Sequence, residues 1–270
     1  MNRTVGLTRV VRFSSGHRYW VDGWDEAKNR DVFGAWASPF NHGHNYVLEV
    51  TAEGPINDAD GMVVNIKDID DILQARVVSR FHQRSINDEV PELGAPPTLE
   101  VLLGYIQGLL QNLPGGARLS RLTLEETPQL WGTWTKEMLT ITRSYEFAAS
   151  HRLYVPEMSE GENERLFGKC CRVNGHGHNY VVEVTVSGEV DPMSGMSVRL
   201  DELDAVVTQE VLDRYDHSNL NMDVPELQGL NPTSEVVALA IFDRLQGKVP
   251  GKLERVVLWE TARNGFEVSA

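Results

Sequence analysis

The sequence predicts an α+β protein built from two tandem copies of one β-β-α-α-β-β domain with antiparallel sheets. Three observations carry this prediction. The first is repetition of four separate segments in the same order. Phe13-Ser14-Ser15-Gly16-His17-Arg18 returns as Phe147-Ala148-Ala149-Ser150-His151-Arg152, and His42-Gly43-His44-Asn45-Tyr46-Val47 as His176-Gly177-His178-Asn179-Tyr180-Val181. Val90-Pro91-Glu92-Leu93 returns as Val224-Pro225-Glu226-Leu227, and Glu126-Thr127 as Glu260-Thr261. So long a period marks duplication of a whole domain, not a solenoid. The second observation is period-two alternation at Tyr180, Val182, Val184 and Val186, the mark of a half-buried strand. The third is helical spacing of Leu203, Val206, Val207 and Val211 behind an acidic start at Asp201, Glu202 and Asp204, which favours a helix N-terminus.

The elements of the second copy then follow in order. Strands are predicted over 142–153 and 178–188, and a helix over 201–215. Pro232-Thr233-Ser234-Glu235 opens a second helix, with Thr233 or Ser234 as its cap. Two final strands, 253–261 and 264–269, are expected to turn around Asn264-Gly265. Strands flanking a pair of helices place the helices on one face of the sheet. The first copy repeats this order. Trp134-Thr135-Lys136-Glu137 leaves no room for a long linker, so the boundaries fall at 1–137 and 138–270.

Composition narrows the function. With 41% hydrophobic and 24% charged residues the chain is an ordinary globular one. Its net charge of −14 argues against coating nucleic acid or an anionic membrane. The longest apolar runs, such as Val236–Phe242, are too short to cross a bilayer. Residues 1–9 lack the apolar stretch of a secretion signal, and the adjacent Cys170 and Cys171 are badly placed for a structural disulfide. The expected compartment is the cytoplasm.

The histidines carry the chemistry. His176 and His178, two apart on a strand, aim their imidazoles to one side, and His151 on the neighbouring strand can supply a third. Three imidazoles with an open fourth position make a catalytic zinc pattern, although iron or another divalent ion also accepts imidazole. His17, His42 and His44 repeat the trio, so up to two Zn2+ ions per chain are expected.

Phe167-Gly168-Lys169-Cys170, five further residues, then His176-Gly177-His178-Asn179-Tyr180 resembles the 6-pyruvoyltetrahydropterin synthase family. Asp191–Met196, Asp216–Pro225 and Trp259-Glu260-Thr261 extend the resemblance over nearly all of 142–270 and, more weakly, over 8–136. It implies the tunnelling fold (T-fold), in which antiparallel sheets of several subunits join into barrel rings with active sites at interfaces. It also implies a zinc-dependent lyase that converts 7,8-dihydroneopterin triphosphate to 6-pyruvoyltetrahydropterin with loss of triphosphate, on the route to tetrahydrobiopterin. Cys170 matches the family's general base, Asp216-His217 its proton relay and Glu260 its pterin anchor. Thr233 and Ser234 match residues that help hold the ring.

The first half keeps Glu126 and Thr98 at the substrate-binding positions. Trp36 stands where Cys170 should be, and pairing His82 with His217 puts Phe81 in the place of Asp216. That half is therefore expected to be a degenerate copy that binds metal without the same proton transfers. A homo-oligomer is expected, a trimer of tandem chains mimicking a hexamer, with first halves ringed together and second halves likewise. Two alternatives remain. One is 6-carboxytetrahydropterin synthase of the queuosine pathway, which Asn231–Val236 resembles and which usually has a cysteine at the position of Arg172. The other is a non-catalytic scaffold that binds zinc or pterin.

Overall fold

The computed structural model describes residues 3–270. The chain forms two compact units. One comprises the chain up to Thr142 together with Ser187–Asp201, and the other Arg143–Val186 with Glu202–Ala270. The units therefore follow the sequence repeats except at 138–142 and 187–201, two segments of the second repeat that fold with the first.

In the first unit, strands β1 (Thr4–His17) and β2 (His42–Pro55) pair antiparallel along their whole length, which sets His17 opposite His42. Strand β3 (Arg118–Thr127) adds to β2, and β4 (Leu130–Thr135) returns along β3. Alternation decides what each strand buries: Tyr46, Leu48, Val50 and Ala52 face the core, and the residues between them do not. Helices Ile66–Leu73 and Leu99–Leu109 cover this face with Ile69, Leu73, Leu102, Leu103 and Ile106, all buried. Burial of such side chains contributes roughly 1.5–3 kcal/mol each. The register matters because His42 and His44 share the parity of Tyr46, so the core that fixes Tyr46 also fixes the imidazoles.

The second unit repeats the plan. Strand β5 (Leu139–His151) pairs with β6 (His176–Ser187), followed by β8 (Lys252–Thr261) and β9 (Asn264–Ser269). A two-residue strand β7 (Ser218–Asn219) lies parallel to β5. Helix Ser234–Leu245 packs on this sheet through Val237, Ala238, Ile241 and Leu245. Among the described residues, no helix is long and apolar enough to cross a membrane.

Three expectations need correction. The final hairpin does not turn at Asn264-Gly265, because Asn264 already pairs with Thr261, which leaves Ala262 and Arg263 as the turn. The helix expected over 201–215 is interrupted by a π-helical turn, Thr208–Leu212, before a last short piece, Asp213–Tyr215. The first repeat has the same insertion at Gln74–Val78. Single π turns of this kind re-aim the residues beyond them.

The third correction concerns the relay. Phe81 and Tyr215 are both fully buried at the ends of these helices. The next residues, His82 and Asp216, take Ser14 N–H and Ala148 N–H respectively onto their side chains. Then Gln83 and His217 share a positive φ, 58° and 56°, and donate N–H to Ser14 and Ala148 carbonyls. His82 therefore stands in the place of Asp216, and Gln83 in that of His217. Matching like residues hides this, whereas backbone geometry shows that the first repeat keeps neither relay group.

Candidate active site

Each half gathers its three histidines at one end of its sheet. In the second half one ligand atom from each of His151, His176 and His178 lies within 4.8 Å of the others, and His17, His42 and His44 do the same in the first. The Nε2 atoms of His151 and His176 are 3.3 Å apart. That matches the edge of a tetrahedron with metal–nitrogen bonds of about 2.0 Å. Backbone carbonyls fix the ring orientation: Pro97 accepts from His17 Nδ1 at 3.0 Å and Pro232 from His151 Nδ1 at 2.9 Å. Such a bond leaves Nε2 unprotonated and free to ligate. The buried Nε2 atoms of His17, His44 and His178 have no hydrogen-bond partner, a costly state that a bound cation removes. The residues fit zinc.

Burial also keeps these rings neutral. It depresses His17 to about 3 and His44 to about 4, with the neighbouring histidine charges adding to the effect. His42, His151, His176 and His178 are shifted the same way, chiefly by burial. The unfolded chain takes up protons near 6.5, before the folded one does. The stability these rings contribute is thus complete above that pH and falls as pH drops toward about 4. Metal-free protein is expected to hold its Tm above about pH 7 and lose it steadily below about 6.5. A Tm unchanged down to about pH 5 in thermal melts would contradict this.

A carboxylate abuts each triad. Glu260 Oε1 lies 3.8 Å from Nε2 of both His151 and His178. It accepts from Ser234 Oγ at 2.9 Å, while Oε2 accepts from Asn264 Nδ2 at 3.3 Å. Burial pushes the Glu260 carboxyl up, but these hydrogen bonds and the adjacent histidines outweigh it and hold the group below its usual range. It is thus a partly exposed, ionised acceptor at neutral pH. Thr233 caps the Ser234–Leu245 helix without a side-chain hydrogen bond.

Cys170 lies in a tight turn, Gly168–Cys171, and Leu153 N–H donates to its carbonyl at 3.0 Å. The buried Tyr180 ring, with its hydroxyl, packs edge-on against His178. Burial raises that hydroxyl's pKa most, and the charges of Glu260 and Cys170 push it the same way. The structure brings Glu260, Ser234 and the three histidines together, and ties the Cys170 backbone to Leu153, two residues beyond His151. His217, with Asp216 beside it, lines an open cavity that His178 also lines. Asp216 Oδ2 is 2.9 Å from His217 Nδ1, and the imidazole side chain is 84% exposed. Acceptance of Ala148 N–H, followed by the His217 hydrogen bond, keeps the Asp216 carboxyl low.

The first half departs at one residue that the repeat pattern does not single out. Tyr19, at the place of Leu153, is buried and donates its hydroxyl to Glu126 Oε2 at 3.2 Å. Glu126 is also 2% exposed, against a partly open Glu260. Thr98 is likewise engaged, donating to the Gly195 carbonyl at 2.6 Å. The cavity beside them, bounded by Tyr19, Thr98, Glu100 and Met196, holds about 10 Å³. The change from Leu153 to Tyr19 is visible in the aligned repeats, but only the fold shows that the phenol reaches the carboxylate.

Comparison with known proteins gives a consistent result. The model of a family described as 6-pyruvoyl tetrahydropterin synthase matches residues 6–137 and again 140–270. The 6-pyruvoyl tetrahydrobiopterin synthase of Homo sapiens is 46% identical over 125 residues, 46% of this chain and 86% of the human protein. That of Dictyostelium discoideum is 41% identical over 124 residues, 46% of this chain and 90% of its own. The solved Caenorhabditis elegans 6-pyruvoyl tetrahydropterin synthase is 41% identical, with a TM-score of 0.46 over 48% of this chain and 94% of that one.

Proposed function

The chain belongs to the 6-pyruvoyl tetrahydropterin synthase family of lyases, and from that premise we propose that its second half converts 7,8-dihydroneopterin triphosphate to 6-pyruvoyltetrahydropterin with loss of triphosphate. The observation that carries this is Glu260 beside an intact triad in the second half, the half that also keeps a cysteine, Cys170, six residues before His176. The first half has Trp36, a Tyr19-capped Glu126 and its own triad. The relatives named above are pyruvoyl enzymes, which supports that product over the carboxypterin of the queuosine pathway.

His151, His176 and His178 would hold zinc, which supplies Lewis acidity toward the substrate's side-chain oxygens and so acidifies the adjacent C–H. Glu260 accepts two N–H bonds from the pterin's aminopyrimidinone edge, as a carboxylate does from arginine. Ser234 orients it. Cys170 takes the proton from the side-chain carbon, a task that needs the thiolate, which a nearby dication favours. Asp216 holds the His217 imidazole in one orientation. Its exposure suits proton transfer in the cavity that it lines with His178. His217→Gln is expected to lower kcat by about 10²-fold with metal content unchanged. A kcat within a factor of about two of the parent's in steady-state assays would remove it from the mechanism.

The first half is a metal-binding copy closed to pterin. Elemental analysis is expected to return about two zinc ions per chain, and one ion would mean that the first triad is vestigial. The test of the whole reading is incubation of the zinc-loaded protein with dihydroneopterin triphosphate and identification of products by mass spectrometry. Pyruvoyltetrahydropterin and triphosphate are expected. Acetaldehyde with carboxypterin would select the queuosine enzyme, and no turnover would select a scaffold.

A further inference from the structure

The carboxylates beside the two triads occupy matching positions but keep different company. Glu260 Oε1 is 3.8 Å from Nε2 of His151 and of His178. Glu126 is 3.9 Å from His17 Nε2 through Oε2 and 3.6 Å from His44 Nε2 through Oε1. Distance alone therefore does not separate the two halves. The surrounding side chains do. Glu260 accepts from Ser234 and Asn264, and its side chain stays partly exposed. The matching positions in the first repeat are Leu99 and Leu130, both buried, and the Glu126 side chain has no exposure. Tyr19, in the place of Leu153, donates to Oε2 from the interior.

A carboxylate withdrawn from water among leucines is costly unless a cation faces it. Glu126 faces the buried Nε2 atoms of His17 and His44, which make no hydrogen bond. The Pro97 carbonyl takes the His17 Nδ1–H, so Nε2 there presents a lone pair. Lone pairs of imidazoles and of a carboxylate thus crowd one small volume, a repulsive arrangement that a dication among them reverses. The cavity bounded by Tyr19, Leu99 and Leu130 holds about 10 Å³, room for no more than about one water. Four donor residues from three adjacent strands meet here: His17 of β1, His42 and His44 of β2, and Glu126 of β3. Four protein donors make the closed set of structural zinc, whereas three leave the open position of a catalytic site.

We propose that Glu126 is the fourth protein ligand of the first half's metal, so that this half carries a closed structural site of three histidines and one glutamate. Tyr19 engages Oε2, which leaves Oε1, the oxygen nearer His44, to the metal. Its 3.6 Å separation from His44 Nε2 is a few tenths longer than the edge, about 3.3 Å, of a tetrahedron with bonds of about 2.0 Å. Ligation therefore asks for only a small shift of the carboxylate. The ion then ties β3 to β1 and β2 at the triad end of the sheet, and no position is left for a substrate oxygen. In the second half Ser234 and Asn264 hold the matching carboxylate, whose open side is free for a ligand. The proposal rests on the reading that the first triad binds metal, and not on the reaction assigned to the second half.

Co2+ is the probe, because its visible absorption reports coordination number and ligand exchange. Two full-length variants isolate the sites. His176→Ala with His178→Ala leaves the first triad, and His42→Ala with His44→Ala leaves the second. The first-triad chain is expected to show the intense bands of four-coordinate cobalt, unchanged when azide is added. The second-triad chain should shift with azide. Adding Glu126→Gln to the first-triad chain should weaken Co2+ binding by at least about tenfold in chelator competition. Glu260→Gln in the second-triad chain should change it by less than a factor of about two. Azide-sensitive bands in the first-triad chain, or a Glu126→Gln variant that holds Co2+ as tightly as its parent, would overturn the proposal. If Glu126→Gln fails to fold by circular dichroism, the azide measurement still decides, since it needs no change at Glu126. A first-triad chain that binds no Co2+ at all would overturn the metal reading of that half together with this proposal, whereas an occupied but azide-sensitive site removes the fourth ligand alone.

Discussion

Replacing Cys170 with alanine is expected to lower kcat by about 10²–10⁴-fold, the range that a positioned base contributes. Zinc content and Tm should be unchanged. The argument is geometric. The turn Gly168–Cys171 is held by the Leu153 N–H, which donates to the Cys170 carbonyl two residues beyond the ligand His151. No histidine depends on the thiol for its position, because Pro232 and the sheet register set the triad. Stopped-flow or product assays on a variant with full metal content decide the matter, and retained turnover would refute the assignment. The reverse change, Trp36→Cys, is not expected to awaken the first half. Tyr19 would still hold Glu126, and Met196 would still close the cleft.

The second large effect is at Glu260. In Glu260→Gln one acceptor oxygen becomes a donor that faces the donors of the pterin edge. A charge-assisted pair is lost and an unsatisfied N–H is left behind, at a cost of about 2–4 kcal/mol. kcat/KM should fall by about 10²-fold or more, mostly through KM, because the pterin edge is held equally in ground and transition states. Glu126→Gln, measured beside it, should leave turnover per folded molecule unchanged. Equal losses from the two variants would mean that the first half also binds substrate, and would overturn its reading as a closed copy.

Much of the fold and of the candidate site is legible in the amino-acid sequence. The duplication, the strands over 142–153 and 178–188 and both histidine trios follow from pattern alone, because a strand's two-residue period fixes which side chains share a face. Asn264-Gly265 misleads because that dipeptide is a turn signal only when the strand register leaves it unpaired, and Thr261 pairs with Asn264. The helix Glu160–Phe167 has too few apolar residues to show a period, although Ser159 and Glu162 form a capping box that the sequence displays.

The relay pairing by like residues fails for a different reason. His82 and His217 look equivalent as letters, but a residue's function here depends on its φ and on which β-strand N–H it receives. The structure pairs His82 with Asp216 and Gln83 with His217 on those grounds.

What the sequence determined by itself was residue type at fixed period: two halves of one ancestry, two sets of three imidazoles, and a single thiol set six residues before a His-Gly-His. Only the tertiary structure decided which groups are open. It showed Tyr19 on Glu126, Asp216-His217 turned to solvent, and Met196 and Leu200 buried where their counterparts Met62 and Ile66 are exposed. The physical reason is that ligand geometry along a strand is local, set by backbone period. Whether a carboxylate is capped or a cleft is filled depends on side chains distant in sequence, which only the packed fold brings together.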